Sequence, residues 1–155
     1  VENLKLVTSA NEEMQALDSL DSKTTAVLNR KDFETQFIAN ETLQYEKDFT
    51  ATIQLKNYDV TTLTYHSNTQ KEQFAVFSEI YYKEGWNAYI DGDLTPHFRV
   101  NYVLRGMKIP AGAHEIVFQF EPSVIKNGRM ISLIAYGLLL LFPIGWFFYE
   151  KKGVK

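Results

Sequence analysis

The sequence predicts a mainly β protein: an antiparallel, jelly-roll-like β-sandwich ectodomain with a small N-terminal β-α-β piece and one C-terminal transmembrane helix. Three observations carry this. From about Thr50 the apolar residues recur with period two, in short runs separated by Asp-Gly and Pro-Ala-Gly turns. Ahead of them, two strand-like runs flank a short amphipathic stretch. Near the end, Ile131 to Tyr149 forms nineteen residues without a charge.

Taken in order, ENLKLVTS alternates weakly and reads as a strand. Ser9 and Glu12 fit a capping box, with Ser9 as N-cap. The following helix places Met14, Leu17 and Leu20 on one face. Thr24 to Leu28 reads as the second strand. TATIQLKN and VTTLTYHS follow as strands around an Asn57-Tyr58-Asp59 turn. QFAVFSEIYY is the most apolar of the soluble strands and is expected to be central. WNAYID, LTPHFRV, YVLRGMKI and HEIVFQF complete the sandwich, and Pro122 to Gly128 reads as a short connection. The boundaries expected are 1–45 for the lead-in, 46–124 for the sandwich, 129–150 for the membrane helix and 151–155 for a cytoplasmic tail.

As a helix, the uncharged span reaches about 28 Å, close to a hydrocarbon core of about 30 Å. Trp146 and Tyr149 stand at one end, where amphipathic rings favour an interface. A buried core helix is the alternative; the lack of a polar side favours the bilayer. Three Lys follow the span and Lys126 and Arg129 precede it, which favours residues 1–130 outside.

The 155 residues carry a net charge of −3 and no basic cluster, which argues against nucleic acid as a partner. With no Cys, disulfides, thiolate metal sites and Cys nucleophiles are excluded.

The hairpin WNAYIDGDLTPHF can be read in two registers. With a three-residue loop, Asp91-Gly92-Asp93, Ile90 faces Leu94, and Trp86, Ala88 and Ile90 share an apolar face with Pro96 and Phe98. A two-residue loop puts Asp93, Thr95 and His97 on that face instead, so the hydrophobic pattern prefers the longer loop. Trp86 then belongs to the core rather than to a ligand platform. The opposite face collects Tyr89, Asp91, His97 and Arg99, the candidate ligand-binding set, able to hydrogen-bond a sugar or phosphate. The bland alternative is a solvated or interface-buried sheet face.

No nucleophile elbow, phosphate loop or zinc-protease motif is present. His66, His97 and His114 lie on different strands without metal-ligand spacing, so no metal and no cofactor is expected. The Asp91 and Asp93 pair reads as turn chemistry. Asn40-Glu41-Thr42 matches a glycosylation sequon.

VFSEIYYKEGWNAYIDG followed by HFRVNYVLRGMKIPAGAHEIVFQFEP resembles the C-terminal region of the YfhO family of bacterial polytopic membrane proteins. The matching positions include Tyr81, Tyr82, Gly85, Trp86, Ala88, Asp91 and Gly92, then Asn101 and Arg105. The Pro110-Ala111-Gly112-x-His114 turn and Phe118, Phe120 and Pro122 complete them. Lys83-Glu84 stands where a Pro is usual, which leaves the bend before Gly85 less rigid. Gly85, Trp86, Gly92, Asn101, Arg105 and Gly112 are accordingly read as structural motif positions. The resemblance implies a large protein similar to glycosyltransferases that use lipid-linked sugars, whose acidic catalytic residues lie in early external loops. This stretch would then be a non-catalytic C-terminal ectodomain at the bacterial inner membrane, on the periplasmic or extracellular side, positioning a cell-envelope glycan acceptor. Its implied partners are the bilayer, the other membrane helices of its own polypeptide, and a glycan or lipid-linked sugar. The alternative is a structural or partner-binding module of a membrane assembly, without sugar contact. An Asp or Glu early in the first external loop of the whole protein would favour the enzyme.

Overall fold

The computed structural model describes residues 1–31 and 43–153; the Asn40 sequon lies outside them. Val1–Phe120 form one compact unit and residues from Glu121 onward a second.

In the first unit, β1 (Asn3–Val7) and β2 (Thr25–Asn29) pair in parallel, joined by helix α1 (Ala10–Leu17). This is the β-α-β piece. Ser9 is the N-cap, and its hydroxyl accepts the Glu12 N–H at 3.2 Å. The reciprocal half of the box is displaced by one residue: the Glu12 carboxylate takes the backbone N–H of Thr8 at 2.8 Å. The helix face differs from the expectation. Met14 is exposed, while Glu13 and Ala16 are buried. Ala16 packs with Val7 and Val27, flanked by Leu17 and Leu20.

Eight further strands follow: β3 (Thr52–Tyr58), β4 (Thr62–Thr69), β5 (Gln73–Ile80), β6 (Trp86–Ile90), β7 (Asp93–Thr95), β8 (Phe98–Val100), β9 (Leu104–Ile109) and β10 (Gly112–Phe120). They form a five-stranded sheet, β3-β4-β10-β6-β7, and a three-stranded sheet, β5-β9-β8, antiparallel throughout. Leu63, Ala88, Ile90, Ile116 and Phe118 from the larger sheet meet Phe77, Met107 and Ile109 from the smaller one. A second cluster joins Phe74, Phe98 and Val100 of the smaller sheet to Leu4, Ala26 and Leu28 of β1 and β2. Phe74 and Phe77, three residues apart, thus serve opposite faces of β5.

Three expectations are corrected here. β5 is an edge strand, not a central one. Its apolar run reflects packing on both faces, with Phe74 in one cluster and Phe77 in the other, rather than a place in mid-sheet. LTPHFRV is two strands, because the chain leaves the larger sheet at Pro96 and enters the smaller one at Phe98. Finally, Ser123 to Gly128 is helical rather than a loop.

The second unit holds helix α2 (Ser123–Gly153), which contains Pro143. Its stretch Ser123–Leu141 is long and apolar enough to cross a membrane, by length and composition. Met130, Ile131, Leu133 and Leu138 to Leu141 are exposed. The side chains of Trp146 and Tyr149 lie outside those described.

Candidate functional site

The hairpin between β6 and β7 turns through two residues. Asp91 has φ 52° and Gly92 φ 90°, the pair of positive angles that defines a type I′ turn. Ile90 therefore faces Asp93, and Ala88 faces Thr95. This overturns the three-residue register. The apolar alternation that suggested it was borrowed from the next strand: Phe98 pairs with Gly106 in the other sheet, and Leu94 is exposed opposite Tyr89. Ala88 and Ile90 do face the core, and Trp86 packs against that cluster half-buried.

The four candidate ligand residues are consequently dispersed. Tyr89 stands with Val117 and Leu94 on the outer face of the larger sheet. Asp91 accepts from His114 Nδ1 at 2.6 Å and from the Glu115 N–H at 2.9 Å. His114 Nε2 lies 3.2 Å from the Ala111 carbonyl. An imidazole between a carboxylate and a carbonyl is favoured as a double donor, so its pKa is raised, first by Asp91, while the His114 bond lowers that of Asp91. Gly112, at φ 126°, permits this turn; a Cβ there would lie 2.9 Å from His114 Nε2.

His97 is buried, with its ring 5.2 Å from Tyr81 and 5.8 Å from Phe118. Burial, then the charge of Arg105, pushes its pKa down to about 4, so it is neutral near pH 7. Its Nε2 is buried without a hydrogen-bond partner, as is one terminal nitrogen of Arg105. Arg105 Nε donates to the Ile80 carbonyl at 2.8 Å, and its guanidinium stacks 4.3 Å from the Trp86 ring centre. Trp86 in turn meets Phe120 at 5.3 Å. Gly85 makes that contact possible, because a Cβ there would sit 2.3 Å from a Phe120 ring carbon.

Arg99 points to a cluster that the sequence reading missed. Its Nη2 reaches Glu13 at 3.2 Å and its Nη1 donates to the Tyr102 carbonyl at 2.6 Å. Glu13, fully buried, also accepts the Tyr102 N–H at 2.8 Å. Asn101 and Tyr102 both have positive φ, 48° and 72°. That conformation is costly for a bulky residue and persists because Tyr102 is held at both backbone polar groups. Asn101 exchanges two bonds of 2.8 Å with Val27: its N–H to the Val27 carbonyl, and its Oδ1 from the Val27 N–H. The signal available beforehand was Glu13 itself, a carboxylate on the helix face with Ala16, Leu17 and Leu20.

Three clefts open on the surface around these groups. One of about 630 Å³ lies on the larger sheet, lined by Gln54, Lys56, His66, His114 and Glu115 among others. One of about 500 Å³ includes Glu72, Asp91, Asp93 and Lys108. The third, about 400 Å³, is lined by Tyr81, Lys83, Trp86, Asn87, Ala88, Leu94, Thr95, Pro96 and His97. Among the described residues, no group of three His, Cys, Asp or Glu is placed to hold a metal ion.

The family model for the bacterial membrane protein YfhO matches residues 9–132, which takes in every motif position above. No curated protein and no solved structure matches the chain.

Proposed function

Since this chain belongs to the YfhO family of bacterial membrane proteins, we propose that residues 1–120 are a non-catalytic extracytoplasmic domain that positions a cell-envelope glycan acceptor. The whole protein, on this reading, is a polytopic inner-membrane enzyme similar to lipid-linked-sugar glycosyltransferases. The observation that carries it is the cleft at Tyr81, Trp86 and His97: aromatic walls beside polar groups, on a β unit followed directly by an apolar helix. Aromatic planes with a few directed polar groups are what a sugar ring needs for stacking and orientation.

Two measurements test this. Asn68 is exposed and these 155 residues contain no Cys, so Asn68→Cys, with any Cys elsewhere in the full-length protein replaced by Ser, gives a single reporter. It should react with a membrane-impermeant maleimide in intact cells; reaction only after lysis would put the domain on the wrong side. Tyr81→Ala in the full-length protein should lower glycan transfer at least several-fold without loss of the folded protein.

A second reading has its own support. All seven residues of edge strand β3 are exposed, including Ile53, Leu55 and Tyr58, which suits a partner-binding module. It expects normal transfer by Tyr81→Ala and loss of a copurifying protein on Leu55→Lys.

A further inference from the structure

We propose that the Tyr81–His97 cleft is a subsite for a sugar ring bearing a negative charge, a carboxylate or a phosphate. This rests on the acceptor-positioning reading above and gives that acceptor a chemical class.

The lining supplies a flat surface and hydrogen-bonding groups in one place. Tyr81, Trp86 and Pro96 offer planes for the apolar face of a ring, and the Thr95 hydroxyl, which donates to the Asp93 carbonyl at 3.0 Å, remains an acceptor for its edge. His97 lines the same cleft. It is only 9% exposed, its Nε2 has no partner, and burial holds it neutral. A buried polar atom left unpaired is costly, and Nε2 is closed to solvent, so the ring must turn toward the cleft for a ligand hydroxyl to reach it and gain a bond.

The charge of the site selects among sugars. The two larger clefts contain carboxylates: Glu115 in one, and Glu72, Asp91 and Asp93 in the other. The lining of this one has none; its charged side chain is Lys83. Behind Trp86 lies the buried guanidinium of Arg105, whose positive charge is opposed in part by the nearby carboxylate of Glu79. A neutral ring would use the aromatic walls alone. An anionic one adds a charge-assisted hydrogen bond to Lys83 at the rim and attraction to the part of the Arg105 charge that Glu79 does not offset.

The test is titration of the whole chain in nanodiscs, read at the Trp86 indole N–H by NMR, with Trp146→Phe to assign it. The probes are glucuronic acid, glucose 6-phosphate, glucose and inorganic phosphate. Either charged sugar, or both, should shift the indole saturably, and whichever binds tighter identifies the anion. Glucose should bind about tenfold more weakly, the equivalent of one charge-assisted bond. Phosphate alone should leave the indole unmoved. Lys83→Gln should abolish the preference for charged sugars, and His97→Phe, close in shape, should weaken all sugars about tenfold. No indole shift with any sugar, equal binding of glucose, or an unchanged preference in Lys83→Gln would overturn the subsite. The two levels separate in cells. Lost charged-sugar binding with intact glycan transfer in Lys83→Gln would keep the subsite and overturn the acceptor role. Absent binding with Tyr81→Ala still impairing transfer would do the reverse.

Discussion

Glu13 shows what a single buried charge does in this fold. It joins α1, Arg99 in the middle of β8 and the strained Tyr102 through one carboxylate, and its partners remain if it is removed. Glu13→Ala should therefore cost about 1.5–3 kcal/mol, the range for a lost hydrogen bond to a charged group, in chemical unfolding of the β unit. Met14→Ala, on the exposed side of the same helix, should cost well under that. The Asp91–His114 pair makes a pH prediction. The raised His114 pKa means its contribution is complete below about 6.5 and lost as pH rises through the higher folded value. The lowered Asp91 pKa means its contribution is complete above about 3.9 and lost as pH falls through the lower folded value. The turn is thus tightest between about pH 4 and 6.5. NMR titration should give His114 a pKa above that of a free imidazole, returning toward it in Asp91→Asn. None of these pairings was legible beforehand, because they join residues distant in sequence. His97 and Arg99 are two apart yet serve different partners, since His97 lies in the crossover between β7 and β8 while Arg99 is already on β8.

At the level of elements, the local code was readable wherever it was strictly local. Ser9 before Glu12 started a helix, and period-two runs marked strands. The hairpin register failed because two signals disagreed. Hydrophobic alternation favoured three loop residues; the conformational preference of Asp-Gly favoured two, and it prevailed because the alternation spanned two different sheets. Gly92→Ala puts a Cβ on a residue at φ 90° and should destabilise by about 1–2 kcal/mol, although no atom lies within 4 Å of the added carbon. Thermal unfolding checks it; an unchanged midpoint would mean that the turn relaxes at no cost. The sheet edges are also unequal. β7 is three residues long, whereas β3 has seven, all exposed, with a bulge between Leu55 and Asn57 and Lys56 at that bulge. Bulges and edge lysines are common guards against unwanted strand pairing.

For the whole molecule, the sequence conveyed class and order: a mainly β unit, a β-α-β lead-in and one apolar C-terminal helix. It did not convey how the strands divide between sheets, because each strand's own pattern states that a face is buried and not against what. It also did not reveal that the lead-in shares its core with β5 and β8. The family motif becomes intelligible at this scale. Gly85, Trp86 and Arg105 build one stack, Asn101 binds the lead-in, and Gly112 seats His114 beside the hairpin turn.

That Asn101–Val27 clasp sets a timetable for the ribosome's product. Val27 and Asn101 stand 74 positions apart and the Glu13–Arg99 pair 86. The first two strands of this β unit thus wait for residues near its far end, and such distant closures slow folding. Until then β1 and β2 have unfinished edges. Asn101→Ala should slow refolding if this closure belongs to the transition state, and chiefly hasten unfolding if it comes after. Stopped-flow rates on the variant decide between a clasp that guides the chain and one that locks it when the rest is done.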